Sequence, residues 1–337
     1  MKIKARLIGL SALVFASTAL LSGCSSNPSS EQTLTIYSGR AEEYIAPFIE
    51  QFTAETGIKL DIRYGDSAAL AAQLLEEGDN SPADLFLSQD AGSLGAVSAS
   101  ELLQKLPATL LTKVDAKYQS SKQDWIGVTG RVRVFAYSPE KMKLLPKSVD
   151  DLTKPEWKGR IGIAPTNGSF QAFVTAMILN RGEAATEQWL MGIKDNQPKL
   201  YEKNSQIVEA IDAGQLELGL VNHYYVWEVS EELGRPINAK NGYFAAGDIG
   251  NMVNVSGVGI MKGSKKQESA QRFIEFLLSD EVQEIVVSET HEYSLVFPEL
   301  TPSGELAFRE IKSPAVDLTS LSDLKRTQNL LIKVGLI

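Results

Sequence analysis

Apolar positions along this chain switch between two periods. Leu34-Thr35-Ile36-Tyr37 alternates as a strand does and ends at Ser38-Gly39, after which Tyr44, Ile45, Phe48 and Phe52 recur at helical spacing up to a stop at Gly57. Lys59 to Tyr64 alternates again. Ser67 then opens a helix through Leu70, Leu74 and Leu75, Ala83-Asp84-Leu85-Phe86-Leu87 reads as a buried strand, and Asp90 starts the next helix. Strands that alternate with helices predict an α/β fold with a mostly parallel sheet. Ligands of such sheets lie beyond the carboxyl ends of strands, which here are Ser38-Gly39-Arg40 and Ser88-Gln89-Asp90.

The pattern breaks at Gly127-Val128-Thr129-Gly130 and resumes as the extended Arg131-Val132-Arg133-Val134-Phe135-Ala136-Tyr137, which reads as a crossing into a second lobe. Val253-Asn254-Val255-Ser256-Gly257-Val258-Gly259-Ile260 is the return, and two crossings make a hinge. The glycines after Ser256 do not fit G-x-G-x-x-G and belong to a twisted strand. Beyond it, Ala270, Phe273, Ile274, Phe276 and Leu277 form one apolar helix face, a further helix runs from Asp280 to about Ser288, and no internal repeat is evident. The expected division is 33–128 with 256–300 in an N-terminal lobe and 129–255 with 301–337 in a C-terminal lobe.

Residues 1–23 read differently. Lys2, Lys4 and Arg6 precede an apolar run from Leu7 to Leu21, too short for a membrane span of roughly 20 residues. Leu21-Ser22-Gly23-Cys24 follows and resembles the lipobox of bacterial lipoproteins, which implies cleavage before Cys24, lipidation of its sulfur and an extracytoplasmic, membrane-anchored protein. Residues 24–32 are then a polar, lipidated tether. Cys24 is the only cysteine, so no disulfide forms within the chain.

Without those first residues, 30 basic side chains face 42 acidic ones, a charge of −12. That excess argues against nucleic acid as a partner, since phosphate neutralisation needs basic patches. Two histidines, His223 and His291, leave little for a zinc or copper site, and no calcium loop is present, so a bound metal must be held by oxygen. The adjacent phenols in Val221-Asn222-His223-Tyr224-Tyr225 supply it and suit a hard trivalent cation such as ferric iron. A phenol with an ordinary pKa near 10 coordinates at neutral pH when a bound metal displaces its proton. The strand-like Leu216 to Val221 precedes them, and Asn222 is positioned to cap a helix running to Gly234, so both tyrosines fall in a first turn whose amides and dipole favour phenolate.

Taken together, Leu34-Thr35-Ile36-Tyr37-Ser38-Gly39, Ser81-Pro82-Ala83-Asp84-Leu85-Phe86, Thr129-Gly130-Arg131 with Arg133 and Tyr137, Pro165-Thr166-Asn167-Gly168-Ser169-Phe170, Lys203-Asn204-Ser205 and Asn222-His223-Tyr224-Tyr225 carry a family resemblance. The chain resembles the ferric-ion-binding substrate-binding proteins of iron(III) ABC transporters, a branch of the class II periplasmic binding proteins. The resemblance implies two α/β lobes around an interlobe cleft, a hinge of crossing strands, and a monomer that delivers its cargo to a permease and ATPase complex. It implies Fe(III) held by Tyr224 and Tyr225, with Tyr137 as a third ligand found in a subset. A synergistic anion, carbonate or another small oxyanion, would lie against Arg131, Asn167, Gly168, Ser169, Asn204 and Asn222.

The chain departs from that pattern on the opposite lobe, where Ala41 replaces a histidine and Gln89 a glutamate. Arg40, Glu42, Gln89 and Asp90 are the remaining first-lobe candidates, so direct ligation there is expected to be slight. Two other classes stay open: a receptor of the same fold for a phosphonate or polyamine, and an extracytoplasmic hydrolase. No G-x-S-x-G elbow or nucleophile partner for His223 supports the latter, and the chain is read as a binding protein and not an enzyme.

Overall fold

A computed structural model describes residues 33–337. Residues 1–32, where a signal peptide, a tether and the lipidation of Cys24 are expected, lie outside the described residues. The order is β1 (Thr33–Ser38), α1 (Glu42–Thr56), β2 (Lys59–Tyr64), α2 (Ser67–Glu77), β3 (Leu85–Ser88), α3 (Ala91–Ala99) and the short α4 (Ala108–Leu111). The long β4 (Trp125–Tyr137) leads to β5 (Ile161–Ile163), α5 (Gly168–Arg181), α6 (Glu183–Asp195), β6 (Lys199–Leu200), α7 (Asn204–Asp212), β7 (Leu218–Asn222), α8 (Tyr225–Glu232) and β8 (Lys240–Gly242). Then come β9 (Val253–Ile260), α9 (Gln267–Leu277), α10 (Asp280–Thr290), β10 (Tyr293–Ser294), α11 (Phe308–Ile311) and α12 (Leu324–Val334).

Local chemistry accounts for many of these bounds. Gly57 takes the left-handed conformation (φ 71°) that ends α1, and Asp66, Asp90 and Asn167 accept amide hydrogens at the starts of α2, α3 and α5. The apolar face of α9 is buried, and Phe273 meets Phe52 of α1 edge to face at 5.1 Å. Each such side chain contributes about 2 kcal/mol by burial.

The strands run in the order β2-β1-β3-β9-β4-β7-β5-β6, with β8 and β10 also paired to β4. Parallel pairing holds on the flanks, β2-β1-β3 and β7-β5-β6, whereas β9 and β4 in the middle run antiparallel to their neighbours. The sheet is therefore mixed, where the alternation of elements predicted a mostly parallel one; the two connecting strands supply the difference. Residues 127–130 are no gap but part of β4, which carries a register shift between Gly127 and Thr129. Glycine at 257 reflects a close approach, since a Cβ there would sit 2.6 Å from the carbonyl oxygen of Ile126.

Along β4 the partner changes. Trp125 to Val132 pairs with β9, and Arg133 to Tyr137 pairs with β7. A single extended segment is thus shared by two half-sheets, the geometry of a hinge. The carboxyl ends of β1, β2 and β3 on one side and of β5 and β7 on the other open on the same cleft of about 330 Å³.

Candidate metal centre

The cleft is lined on one side by Gly39, Asp66, Ser67, Gln89, Asp90 and Ser93, and on the other by Arg131, Asn167, Gly168, Ser169, Tyr224 and Tyr225. The helices α2, α3, α5 and α8 all begin at this cleft, so their positive dipole ends converge on it.

Tyr224 and Tyr225 follow the end of β7, with ring centroids 4.5 Å apart and an interplanar angle of 33°. The helical turn starting at Tyr224 is what lets chain neighbours converge; in a strand they would face opposite ways. Burial, and then the neighbouring Tyr224, push the Tyr225 phenol above its ordinary pKa. A phenolate at this position therefore needs a positive partner.

Asn222 is not the cap of α8. The cap position is Tyr224, without a side-chain bond, and Asn222 closes β7. Its Oδ1 accepts from Arg133 Nη1 at 3.1 Å, and its Nδ2 faces Ser169 Oγ at 3.2 Å and Tyr224 OH at 3.5 Å. Asn167 caps α5 by accepting from the Ser169 amide at 3.0 Å, and the buried Asn204 donates to the same Asn167 Oδ1 at 3.1 Å. Apart from its chain neighbours and its own helix backbone, nothing lies within 4 Å of a Cβ placed on Gly168, which lines the cleft. Asn167, Gly168, Ser169, Asn204 and Asn222 are thus brought together around the tyrosine pair.

Arg131 is buried, and its Nη2 donates to the carbonyl oxygen of Gln89, which joins the two walls. Burial pulls its guanidinium down, but Tyr224, Glu292 and Asp90 more than offset that and leave its pKa raised. Of the other first-lobe candidates, Gln89 lines the cleft and Arg40 and Glu42 do not. Arg40 is buried in an ion pair with Glu292 at 2.7 Å, so it is not aimed at a cleft anion. Glu42 is exposed at the start of α1.

Tyr137 is also not brought here. Because β4 and β7 are antiparallel, Tyr137 pairs with Leu218 at the start of β7, whereas Arg133 pairs with Asn222 at its cleft end. Six residues of extended chain separate it from Arg131, about 20 Å; its ring instead packs 5.9 Å from Phe135.

The sequence reading missed Asp66. Its Oδ1 accepts from the amides of Ala68 and Ala69, and its place two residues after β2 sets it in the cleft. An aspartate directly before a helical run was the available signal. Asp90 is committed to Ser93, accepting from its amide at 2.8 Å and its hydroxyl at 3.0 Å.

A family model described as bacterial extracellular solute-binding protein matches residues 80–307. Over its whole length the chain is 35% identical to the Fe(3+)-binding periplasmic protein of Serratia marcescens, an alignment covering 100% of both. Iron-bound HitA from Pseudomonas aeruginosa is similar at a TM-score of 0.81 and 34% identity, over 90% of this chain and 99% of that one. A Trichodesmium protein solved with iron and citrate ligands is similar at a TM-score of 0.80 and 26% identity, over 90% and 99% of the two chains.

Proposed function

The chain belongs to the bacterial extracellular solute-binding proteins, and from that premise we propose that it captures ferric iron outside the cytoplasm. The observation that carries the reading is the pair Tyr224 and Tyr225, adjacent at the start of α8 and open to a cleft between two half-sheets. Iron is the cargo, and the protein performs no chemistry on it beyond exchanging phenol protons for metal.

In this mechanism the two phenolates supply the metal's anionic oxygens. A small oxyanion, carbonate or a relative of it, completes the site against Arg131, the Gly168 amide and the Ser169 hydroxyl, with Asn167, Asn204 and Asn222 around them. A planar guanidinium and a helix N-terminus both favour such an anion. Opposite, Asp66 and Asp90 add negative charge close to the cation, which offsets the absence of a histidine at 41 and a glutamate at 89. The shared strand β4 lets the halves close over the cargo, and an ABC-transporter permease with its ATPase then accepts it. Anchoring through lipidated Cys24 would keep the monomer at that membrane.

The test is a titration of the metal-free protein, lacking residues 1–23, with a ferric chelate in bicarbonate buffer. A saturable visible tyrosinate-to-iron band is expected near one equivalent, lost or shifted in Tyr224→Phe and in Tyr225→Phe. A colourless intact protein would sink the reading, and phosphonates and polyamines would be screened next.

A further inference from the structure

Arg133 is the first residue of β4 to pair with β7, and only 3% of it is exposed. Among the described residues no carboxylate pairs with it, in contrast to the buried Arg40 and its Glu292. Its Nη1 donates to Asn222 Oδ1 at 3.1 Å, its Cζ lies 5.6 Å from the centre of the Phe173 ring, and nothing accepts from its buried Nη2. A buried cation without a counter-charge is costly unless something supplies one, and a ring face compensates only in part.

The bond to Asn222 has a directional consequence. With Oδ1 taken by a guanidinium, the Asn222 amide must present its NH₂ group on the other side, where Nδ2 meets Ser169 Oγ and Tyr224 OH. A flipped amide would set donor against donor. The wall next to the tyrosine pair is thereby held in its donating form, with a positive charge behind it.

We infer that Arg133 is a positioning residue for the small oxyanion of the proposed site: it turns the Asn222 donor toward the cleft and supplies a buried positive charge that the anion and the ionised phenols neutralise. The inference rests on reading the cleft as the iron and anion site. It adds to that reading an arginine outside the cleft lining, acting through Asn222.

The test is calorimetric titration of the metal-free protein with inorganic phosphate and, separately, with bicarbonate, alongside its thermal midpoint. Arg133→Met is expected to lose at least about tenfold in affinity for both anions while its midpoint holds or rises, because an unpaired buried charge has been removed. Asn222→Asp retains Arg133 and hands it a carboxylate; its midpoint should rise as its anion affinity falls by a similar factor. A packing role predicts the reverse for Arg133→Met, a lower midpoint with anion affinity within about twofold of the parent, and that result overturns the inference. Should Arg133→Met fail to fold, unchanged anion affinity in Asn222→Asp overturns it equally. A parent that binds neither anion also does so. The ferric band recorded on the same samples separates the two levels: a normal band with unchanged anion affinity in Arg133→Met removes the arginine's role alone, whereas a parent without the band removes the site.

Discussion

The backbone amide of Val132 donates to Nδ1 of His223 at 3.2 Å, which leaves the imidazole proton on Nε2, 2.7 Å from the carbonyl oxygen of His291. Val132 is the last residue of β4 on the β9 side, His223 directly precedes the tyrosine pair, and His291 ends α10. A neutral imidazole, stacked on Tyr293 at 4.7 Å, therefore ties the hinge strand to the turn that presents the tyrosine pair.

That bond implies a pH dependence of stability. Burial is the main reason the His223 pKa falls to about 4, against 6.5 for the ordinary side chain. The unfolded chain takes up this proton below about pH 6.5 and the folded protein only below about pH 4. The contribution is complete above the first value and is lost as pH falls toward the second, about 3 kcal/mol in all. Urea unfolding of metal-free protein between about pH 7 and pH 4.5 should show this decline, and His223→Asn should show it reduced. Parallel declines in parent and variant would remove His223 from the account.

Acid should also release the cargo. Each phenol that ligates iron gives up a proton, so protons compete with the metal, and burial of Tyr225 sharpens the competition by disfavouring the free phenolate. With both tyrosines ionising on loading, affinity should fall by up to about a hundredfold per pH unit. Competition against a ferric chelator of known pH behaviour reads this directly. An affinity that stays constant from about pH 8 to pH 5.5 contradicts tyrosinate ligation.

Replacing Tyr137 by Phe should leave ferric loading and the visible band unchanged, because the residue lies at the far end of β4 and packs on Phe135. A lost band would mean that the two half-sheets rearrange far more than a hinge allows.

How far the site was legible in the chain follows from which contacts are local. The turn from Leu218 to Tyr225 and the Asn167-Gly168-Ser169 helix start are written in consecutive residues, and both open where the strand and helix periods imply. Tyr137 misled because its distance from the pair depends on which end of β7 it faces, a property of antiparallel register that no local pattern encodes. Arg40 misled because its partner, Glu292, lies 252 positions away. The mixed sheet escaped for the same reason: β4 and β9 find each other across the whole second lobe.

The Arg40–Glu292 pair gives a last expectation. Arg40 Nη1 reaches both carboxylate oxygens, at 2.7 and 2.8 Å, and the Thr129 hydroxyl donates to the same group. Burial would push the Glu292 carboxyl up, yet Arg40, Arg131 and that hydroxyl more than offset it and hold it below the usual range. Glu292→Gln removes the charge that two buried arginines share, and a cost of about 3 kcal/mol or more in denaturant unfolding is expected. Part of that cost is the penalty of leaving the Arg40 charge without this carboxylate, so Glu292→Gln with Arg40→Met should recover much of it. Additive losses in the double variant would show that the two residues stabilise the fold independently, against the coupling their geometry implies.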